Sequence, residues 1–307
     1  MTRQRFVKIS KRIASAAICV ALMFLYTSCT KTQRVSDGMK SLYATLKDAQ
    51  SAEYRKSVFA VMHTSRGSYE MEYEIISAHV ANGNSVNEIS ARQMDKEVSF
   101  TSFSNGGYTF TPLYSDFYVK RTAQTVSLES LVPYPEKSFD SVKSGFYESR
   151  PAYEAKSNSE NLKAYTAAQL IGCVNFADFT GLEWDDADFG EMTFFISSDS
   201  ETPFFAICGS FSFDEKDVSV DYTVEFDFIS VNSLEDVVFP LEEGKLEEVL
   251  LYSDFIKTLE PIAPLITQSQ WAVLLGYTPE NEFDFYSFEF DEYAYPLYWE
   301  EFFDVIL

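Results

Sequence analysis

The stretch DVSVDYTVEFDFIS, from Asp217 to Ser230, alternates in polarity at almost every residue. Its even positions from Val218 to Phe228 are aromatic or aliphatic, and nearly all of its odd positions are acidic or carry a hydroxyl group. Successive side chains of a strand point to opposite sides of a sheet, and a period of two does not fit a helix face. We therefore predict a long strand with one covered and one hydrated face, as is typical of an antiparallel sheet.

The same alternation recurs along most of the chain. In YEMEYEIISAHV, residues 69–80, apolar side chains alternate with three glutamates. About ten such segments, among them residues 117–128 and a closing segment at 231–240, are separated by turn sequences such as SNGG at 104–107. The predicted fold class is therefore α+β and mostly antiparallel, with one large curved sheet or half barrel.

Helices are predicted at both ends of this sheet. Residues 36–50 carry apolar side chains at helical spacing, and Ser36 or Asp37 can cap the start. After Pro240, residues 241–260 and 268–275 have the same character. We expect the N-terminal helix and these C-terminal helices to pack on the sheet, while residues 161–172 fit a helix or a strand equally well.

The first 28 residues have the three parts of an export signal. Five basic residues precede an apolar run from Ile13 to Tyr26, which ends at LYTSCT with Ser28 directly before Cys29. This arrangement resembles a bacterial lipoprotein signal, although Tyr26 stands where an aliphatic residue is usual. The resemblance implies cleavage before Cys29 and a diacylglyceryl group on its thiol. An ordinary secretory signal and an uncleaved anchor are the alternatives.

These boundaries divide the chain into five predicted segments. They are a signal peptide at 1–28, a tether with the lipidated cysteine at 29–35, a sheet domain at 36–240, a helical segment at 241–276, and an acidic aromatic tail at 277–307. Between Phe283 and Phe303 the tail has 11 aromatic residues among 21. It is either a docking strip or lid, or a last strand and helix packed on the sheet.

The net charge limits the kinds of partner that the mature chain can bind, and the cysteine count limits its disulfides. Without the signal, 19 basic residues stand against 47 acids, a net charge of −28. Such a charge argues against nucleic acid as a partner and against charge-driven docking on anionic lipid. Cys173 and Cys208 remain outside the signal and the proposed anchor, so that one disulfide or two buried thiols are both allowed.

A longer segment, ISSDSETPFFAICGSFSF followed by VDYTVEFDFISVNSLEDVVFP, carries a second resemblance. A strand, a turn with Asp199, Thr202 and Pro203, two long strands, a turn at Asn232 and a closing Pro240 are similar to the lipoprotein-carrier superfamily of LolA/LolB/LppX-like exported lipoproteins. Over residues 36–240 this resemblance implies a half barrel, closed by helices over an apolar cavity for acyl chains or other hydrophobic ligands.

The inward positions of the long strands are then the candidate ligand-binding residues. They are apolar or aromatic residues of two segments: Tyr69, Met71, Tyr73, Ile75, Val220, Tyr222, Val224 and Phe226.

We predict neither an enzyme nor a cofactor, because no nucleophile elbow, metal-protease, phosphate-loop or dinucleotide motif occurs. The two histidines, His63 and His79, have no neighbouring acid or Cys/His spacing in the sequence, and His79 shares the parity of the inward residues. Acidic residues around Gly190 favour a solvated loop over a calcium site, because the spacing of a calcium-binding loop is missing. They are Asp185, Asp186, Asp188 and Glu191.

Two functions fit these features. The first is a membrane-anchored exported lipoprotein that binds a hydrophobic ligand in a half-barrel cavity. The second is a surface lipoprotein with a filled core that binds a protein partner through its acidic aromatic tail. A hydrolase is a third and weaker hypothesis, since no catalytic constellation can be named.

Overall fold

The structure is a computed structural model and describes most of the chain between residues 34 and 259. The described ranges are 34–80, 83–93, 96–114, 117–123, 127–134, 139, 141–171, 184–198, 203–213 and 217–259. The signal, the tether with Cys29, and everything from residue 260 lie outside them, including the predicted helix at 268–275 and the aromatic tail.

Thirteen strands are described, and all belong to one large, open, curved sheet. They are β1 (Ser51–Thr64), β2 (Gly67–Val80), β3 (Asn84–Gln93), β4 (Lys96–Asn105), β5 (Tyr108–Tyr114), β6 (Phe117–Thr122), β7 (Ser141–Tyr147), β8 (Arg150–Ser157), β9 (Asp188–Phe189), β10 (Met192–Ser197), β11 (Phe204–Phe213), β12 (Val218–Val231) and β13 (Leu250–Leu251). Nearly all neighbours are antiparallel, which confirms the predicted fold class.

Two antiparallel meanders meet at the centre of the sheet. The strand order is β13-β6-β5-β4-β3-β2-β1-β12-β11-β10-β8-β7, and β9 pairs with β11 off this path. The first long strand therefore pairs with the last one, and β1 lies between β2 and β12 along its whole length. The exception to the antiparallel pattern is β13, which runs parallel to β6.

The structure corrects the predicted strands in three places. The hairpin of β7 and β8 was missed, because its two-residue turn consists of Glu148 and Ser149, which adopt positive φ without a glycine or asparagine to signal it. The predicted closing strand at 231–240 is wrong, since β12 ends at Val231 and residues 232–240 form no strand. The strand predicted at 117–128 ends at Thr122.

Four described α-helices and two short 3-10 helices, Leu128–Leu131 and Trp184–Asp186, accompany the sheet. The four α-helices are numbered in chain order. They are α1 at residues 34–47, α2 (Glu160–Leu170), α3 (Glu243–Leu246) and α4 (Tyr252–Leu259). The ambiguous segment at 161–172 is thus helical, and the Ser159 hydroxyl caps it by accepting from the Leu162 N–H. Residues 241–260 do not form one helix, because β13 adds to the edge of the sheet between α3 and α4. Within the described ranges, no helix has both the length and the apolar character needed to cross a bilayer.

The main core lies between the inner face of the sheet and helices α1 and α2. Met39, Leu42 and Leu46 of α1 are buried in it, and Gly38 lets α1 approach β10 so closely that an added Cβ would lie 3.3 Å from Ile196 Cδ1. Thr166 of α2 contacts Met192 of β10. The helix predicted at 36–50 therefore packs on the sheet as expected.

A smaller core lies on the opposite, outer face near β4 to β6. The rings of Phe103 and Phe110 stack at 4.6 Å between centroids, and Leu246 completes the buried set. Phe239 packs on Phe103 at 5.2 Å. The chain after β12 therefore covers the outer face in this region.

Candidate functional site

The eight predicted ligand-binding residues lie on one face of β2 and β12, the two strands that flank β1. In the register of the sheet, Val58 of β1 lies between Val224 and Tyr73, and Ala60 lies between Tyr222 and Met71. The two predicted groups therefore flank β1 and form one continuous surface with it. We call this surface the apolar wall; it consists of the eight residues together with Val58, Ala60 and Met62.

The contribution of β1 was not apparent from the sequence. Residues 57–62, SVFAVM, are apolar at both parities, so alternation does not reveal which side is covered. Phe59 and Val61 share a side and lie on the outer face, where Phe59 is 41% exposed. The inner positions are the smaller Val58 and Ala60.

The apolar wall is buried in the described structure. Tyr69 is half-buried, and the other seven predicted residues are buried. Phe226 stacks on Phe205 of β11 at 4.9 Å between ring centroids, and the tilted ring of Tyr54 lies 6.0 Å away. These residues thus occupy the inner position that the alternation predicts, and their role as ligand contacts stays a prediction.

One cation interrupts this surface. Lys56 lies between Phe226 and Ile75 in the register, is buried, and donates from Nζ to the Gln169 carbonyl at 2.9 Å. Gln169 lies in the last turn of α2, where carbonyl groups lack helical partners and the helix dipole favours a positive charge. Lys56 therefore ties the end of α2 to the middle of the inner face.

His79 lies on the inner face, as its parity predicts. Its Nε2 lies 3.3 Å from the Tyr54 hydroxyl, and the two rings stack at 5.6 Å. Burial lowers the pKa of His79 to about 4 and raises the pKa of Tyr54. Both groups are therefore neutral at neutral pH.

Polar side chains surround this pair. The register aligns Tyr54, Ser77, Asn87 and Ser102 in one row across β1 to β4, and Ala52, His79, Ser85 and Ser104 in the next row. The Ser77 hydroxyl donates to Asn87 Oδ1, and Asn87 Nδ2 donates to Ser102 Oγ at 3.5 Å. We call the seven polar residues of these two rows the polar patch. It was not predicted from the sequence, because serine and asparagine in a strand are usually assigned to the hydrated face.

Tyr222 places a polar atom inside the apolar wall. Its hydroxyl is buried and has no hydrogen-bond partner in the part of the chain that the structure describes, and burial raises its pKa. It lies over Gly209 of β11, its cross-strand neighbour, where an added Cβ would be 2.7 Å from the hydroxyl oxygen. Gly209 thus provides the space for this ring.

On the outer face, a cluster of polar side chains surrounds the other histidine, His63. His63 Nδ1 lies 2.9 Å from Ser68 Oγ, and His63 Nε2 lies 3.1 Å from Asp221 Oδ2. Asp221 is distant in sequence, so only strand pairing could reveal it. His63 and Asp221 are 44% and 66% exposed, on the hydrated side of the sheet, away from the apolar wall. The trio has serine, histidine and aspartate in contact but sits on an open strand surface.

A second outer-face cluster joins the β7–β8 hairpin to β12. Arg150 pairs with Glu225 and Asp227, and its guanidinium lies 3.9 Å from the Phe204 ring centroid. Tyr147 donates to Glu225 Oε2 at 3.0 Å. Burial raises the pKa of Glu225 although Arg150 opposes this shift. The cluster fastens the hairpin over β10 and β11.

The remaining candidates from the sequence are the acidic residues around Gly190 and the two cysteines. Among the residues that the structure describes, no group of three or more His, Cys, Asp or Glu side chains could hold a metal ion. Asp188 is exposed, and Glu191 pairs with Lys156. Cys208 carries a free thiol whose pKa is raised by burial, and Cys173 lies outside the described residues.

Comparisons with known proteins find similarity in structure alone. No protein-family model matches the chain, and no relative is found among curated proteins. Among solved structures, the chain is similar to LprF from Mycobacterium bovis, with 11% identity, 69% of this chain and 99% of that chain covered, and a TM-score of 0.36. A putative outer membrane lipoprotein-sorting protein domain from Vibrio parahaemolyticus has 6% identity, coverage of 68% and 95%, and a TM-score of 0.23. The half-barrel layout itself is the one expected from the resemblance to the lipoprotein-carrier superfamily.

Proposed function

We propose that the chain is an exported lipoprotein that binds a hydrophobic molecule against the apolar wall. The observation that carries this proposal is the wall itself. Over residues 56–62 of β1, 69–75 of β2 and 220–226 of β12, every inner side chain except Lys56 is aliphatic or aromatic. Burial of apolar ligand surface against such a wall contributes roughly 25 cal/mol per Å². Helices α1 and α2 lie on the same side, so the ligand lies between them and the sheet.

Native mass spectrometry with lipid extraction tests the proposal on a soluble chain that begins at Thr30. We expect a co-purifying hydrophobic mass. Ala60→Leu adds bulk at the centre of the wall and should reduce this mass, whereas Ser57→Leu adds the same bulk on the outer face of the same strand and should leave it unchanged. If the unmodified chain carries no co-purifying hydrophobic mass, the proposal is overturned.

The alternative is a lipoprotein with a filled core that binds a protein partner through residues 277–307. The burial of seven of the eight predicted residues favours it, because a core that is already closed needs no ligand. A ligand-free chain whose partner capture is lost on deletion of residues 277–307, with the fold intact, would support this second function.

We further propose that Cys29 holds the protein on the extracytoplasmic side of a bacterial membrane, after removal of residues 1–28. The basic start, the apolar run and the sequence LYTSCT support this. A diacylglyceryl group supplies the two chains that firm anchoring requires. Cys29→Ser should abolish the added lipid mass in intact-protein mass spectrometry and release the chain from the membrane fraction, while Cys208→Ser should change neither.

A further inference from the structure

The polar patch is a part of the inner face that hydrophobic binding leaves unexplained. In its two rows, every inner position of β2, β3 and β4 is polar, and the four serines are at most 9% exposed. Tyr54 is buried as well, and Asn87 and His79 are half-buried. Buried polar groups cost free energy unless they find partners, so a core rarely gathers several of them on one surface.

The patch is also uncharged. It contains hydroxyl, amide and imidazole groups and no carboxylate, ammonium or guanidinium group, in a chain with 47 acids. The outer face of the same strands has the opposite character, with Glu72 paired to Arg92 and Glu74 to Arg55. A merely hydrated surface in this protein therefore carries charges, whereas the patch offers neutral donors and acceptors.

The patch and the apolar wall are continuous. Along β2, Ser77 follows Ile75, and along β3, Asn87 precedes Ile89 on the same face. From Tyr54 to Met62 the inner face of β1 extends for about 26 Å at the rise of a strand. One molecule can therefore contact both surfaces, with its apolar part on the wall and its polar part on the patch.

We propose that the polar patch binds the uncharged, hydroxyl-bearing polar group of an amphiphilic ligand whose apolar chain lies on the apolar wall. This inference rests on the proposed function. Hydroxyl groups donate and accept, which matches the mixed donors and acceptors of serine, asparagine, tyrosine and neutral histidine. An anionic group would lose its hydration without gaining a cation, because the patch contains none and the adjoining Lys56 donates to α2.

Competitive photolabelling of the full-length chain tests this assignment. The probe is a monoacylglycerol with a photoreactive diazirine in its acyl chain, and labelled peptides are mapped by mass spectrometry. The competitors are the unlabelled monoacylglycerol and the fatty acid of the same chain length. We expect labelling within residues 51–80 and 218–231, which carry the apolar wall. We also expect the monoacylglycerol to compete at a concentration about tenfold lower than the fatty acid, as one or two hydrogen bonds imply.

A matched pair of variants makes the test specific to the patch. Ser85→Ala with Ser102→Ala removes two inner hydroxyls and should abolish the tenfold preference. Ser90→Ala with Ser99→Ala removes two outer hydroxyls from the same strands and should preserve it. Equal competition by both lipids in the unmodified protein would overturn the polar assignment while leaving hydrophobic binding intact. Absence of any saturable labelling would overturn the proposed function, and the polar assignment with it.

Discussion

The two faces of β1, β2 and β12 differ in what their side chains contribute. On the inner face, Phe226 and its neighbours are buried and packed ring on ring. On the outer face of the same strands, Arg55 and Glu74 pair at 3.4 Å with nearly half of each side chain exposed. Apolar burial stabilises by kilocalories per side chain, whereas an exposed ion pair contributes a fraction of one. One alternating sequence thus places the side chains that stabilise the fold on one side of the sheet and the side chains that keep it soluble on the other.

Replacing an inner aromatic ring should give the largest effect. Phe226 is fully buried, so Phe226→Ala should lower the free energy of unfolding by about 3–5 kcal/mol, through lost burial and the cavity left behind. Phe59→Ala makes the same chemical change on the outer face, where the ring is 41% exposed, and should cost less than about 1 kcal/mol. Urea unfolding followed by circular dichroism measures both. Equal losses would mean that the two faces are not distinguished by burial.

The two histidines, one on each face, should differ in their effect on the pH dependence of stability. His79 has its pKa lowered from 6.5 to about 4 by burial, so the unfolded chain takes up a proton at a higher pH than the folded chain. The contribution of the buried neutral imidazole to the free energy of unfolding is therefore fully present above pH 6.5. It is lost as the pH falls towards 4. The loss amounts to about 3 kcal/mol at the lower limit.

Carboxylates titrate in the same window, so the prediction concerns a difference between variants. The free energy of unfolding, measured from pH 7 to pH 4.5, should fall less steeply in His79→Gln than in the unmodified chain. His63→Gln, on the outer face, should retain the steeper fall. If His79→Gln has an unchanged pH profile, the imidazole is not held neutral by the inner face.

A third prediction concerns space within the inner face. Gly209→Ala would place a Cβ 2.7 Å from the Tyr222 hydroxyl and should cost about 1–3 kcal/mol of stability through overpacking. Tyr222→Phe removes a buried hydroxyl that lacks a partner among the described residues, and should be neutral or stabilise by about 1 kcal/mol.

The two changes should also be coupled. The double variant should recover part of the loss, although Tyr222 Cζ would still lie 3.0 Å from the added carbon. Gly145→Ala provides the control, since its Cβ would meet nothing within 4 Å, and thermal unfolding should change little. Strictly additive effects of the two changes would mean that the strain of Gly209→Ala does not come from the Tyr222 hydroxyl.

The sequence predicted those parts of the fold in which polarity alternates strictly. From Tyr69 to Ile75 in β2 and from Val218 to Phe228 in β12, every second residue is apolar, so both the strand and its inward side followed from the pattern. In β1 the apolar residues occupy both parities, and the inner side could be assigned only from its pairing with β2 and β12. Alternation identifies the inner face only where the two faces differ in polarity. It does not identify the inner face where both faces are apolar.

The polar patch and the His63 cluster show a second limit. Ser77, Asn87 and Ser102 are aligned by strand register, which the sequence does not contain, and they have the composition of a hydrated face. His63 meets Asp221 across 158 residues through the same pairing. The candidate site was therefore predictable in its apolar half, where side chains repeat along one strand, and not in its polar half, where they repeat across strands.

The smallest effect is expected for the ion pairs of the outer face. Arg92→Met removes the pair with Glu72, in which both side chains are about half exposed, and should lower the free energy of unfolding by less than about 1 kcal/mol. Because solvent and salt screen exposed charges, the difference from the unmodified chain should shrink further when NaCl is raised from low salt to about 1 M. Arg55→Met, which removes the pair with Glu74, should behave in the same way. A loss of unfolding free energy as large as that of Phe226→Ala would contradict the difference proposed between the two faces. The outer charges would then stabilise the sheet as strongly as the core does.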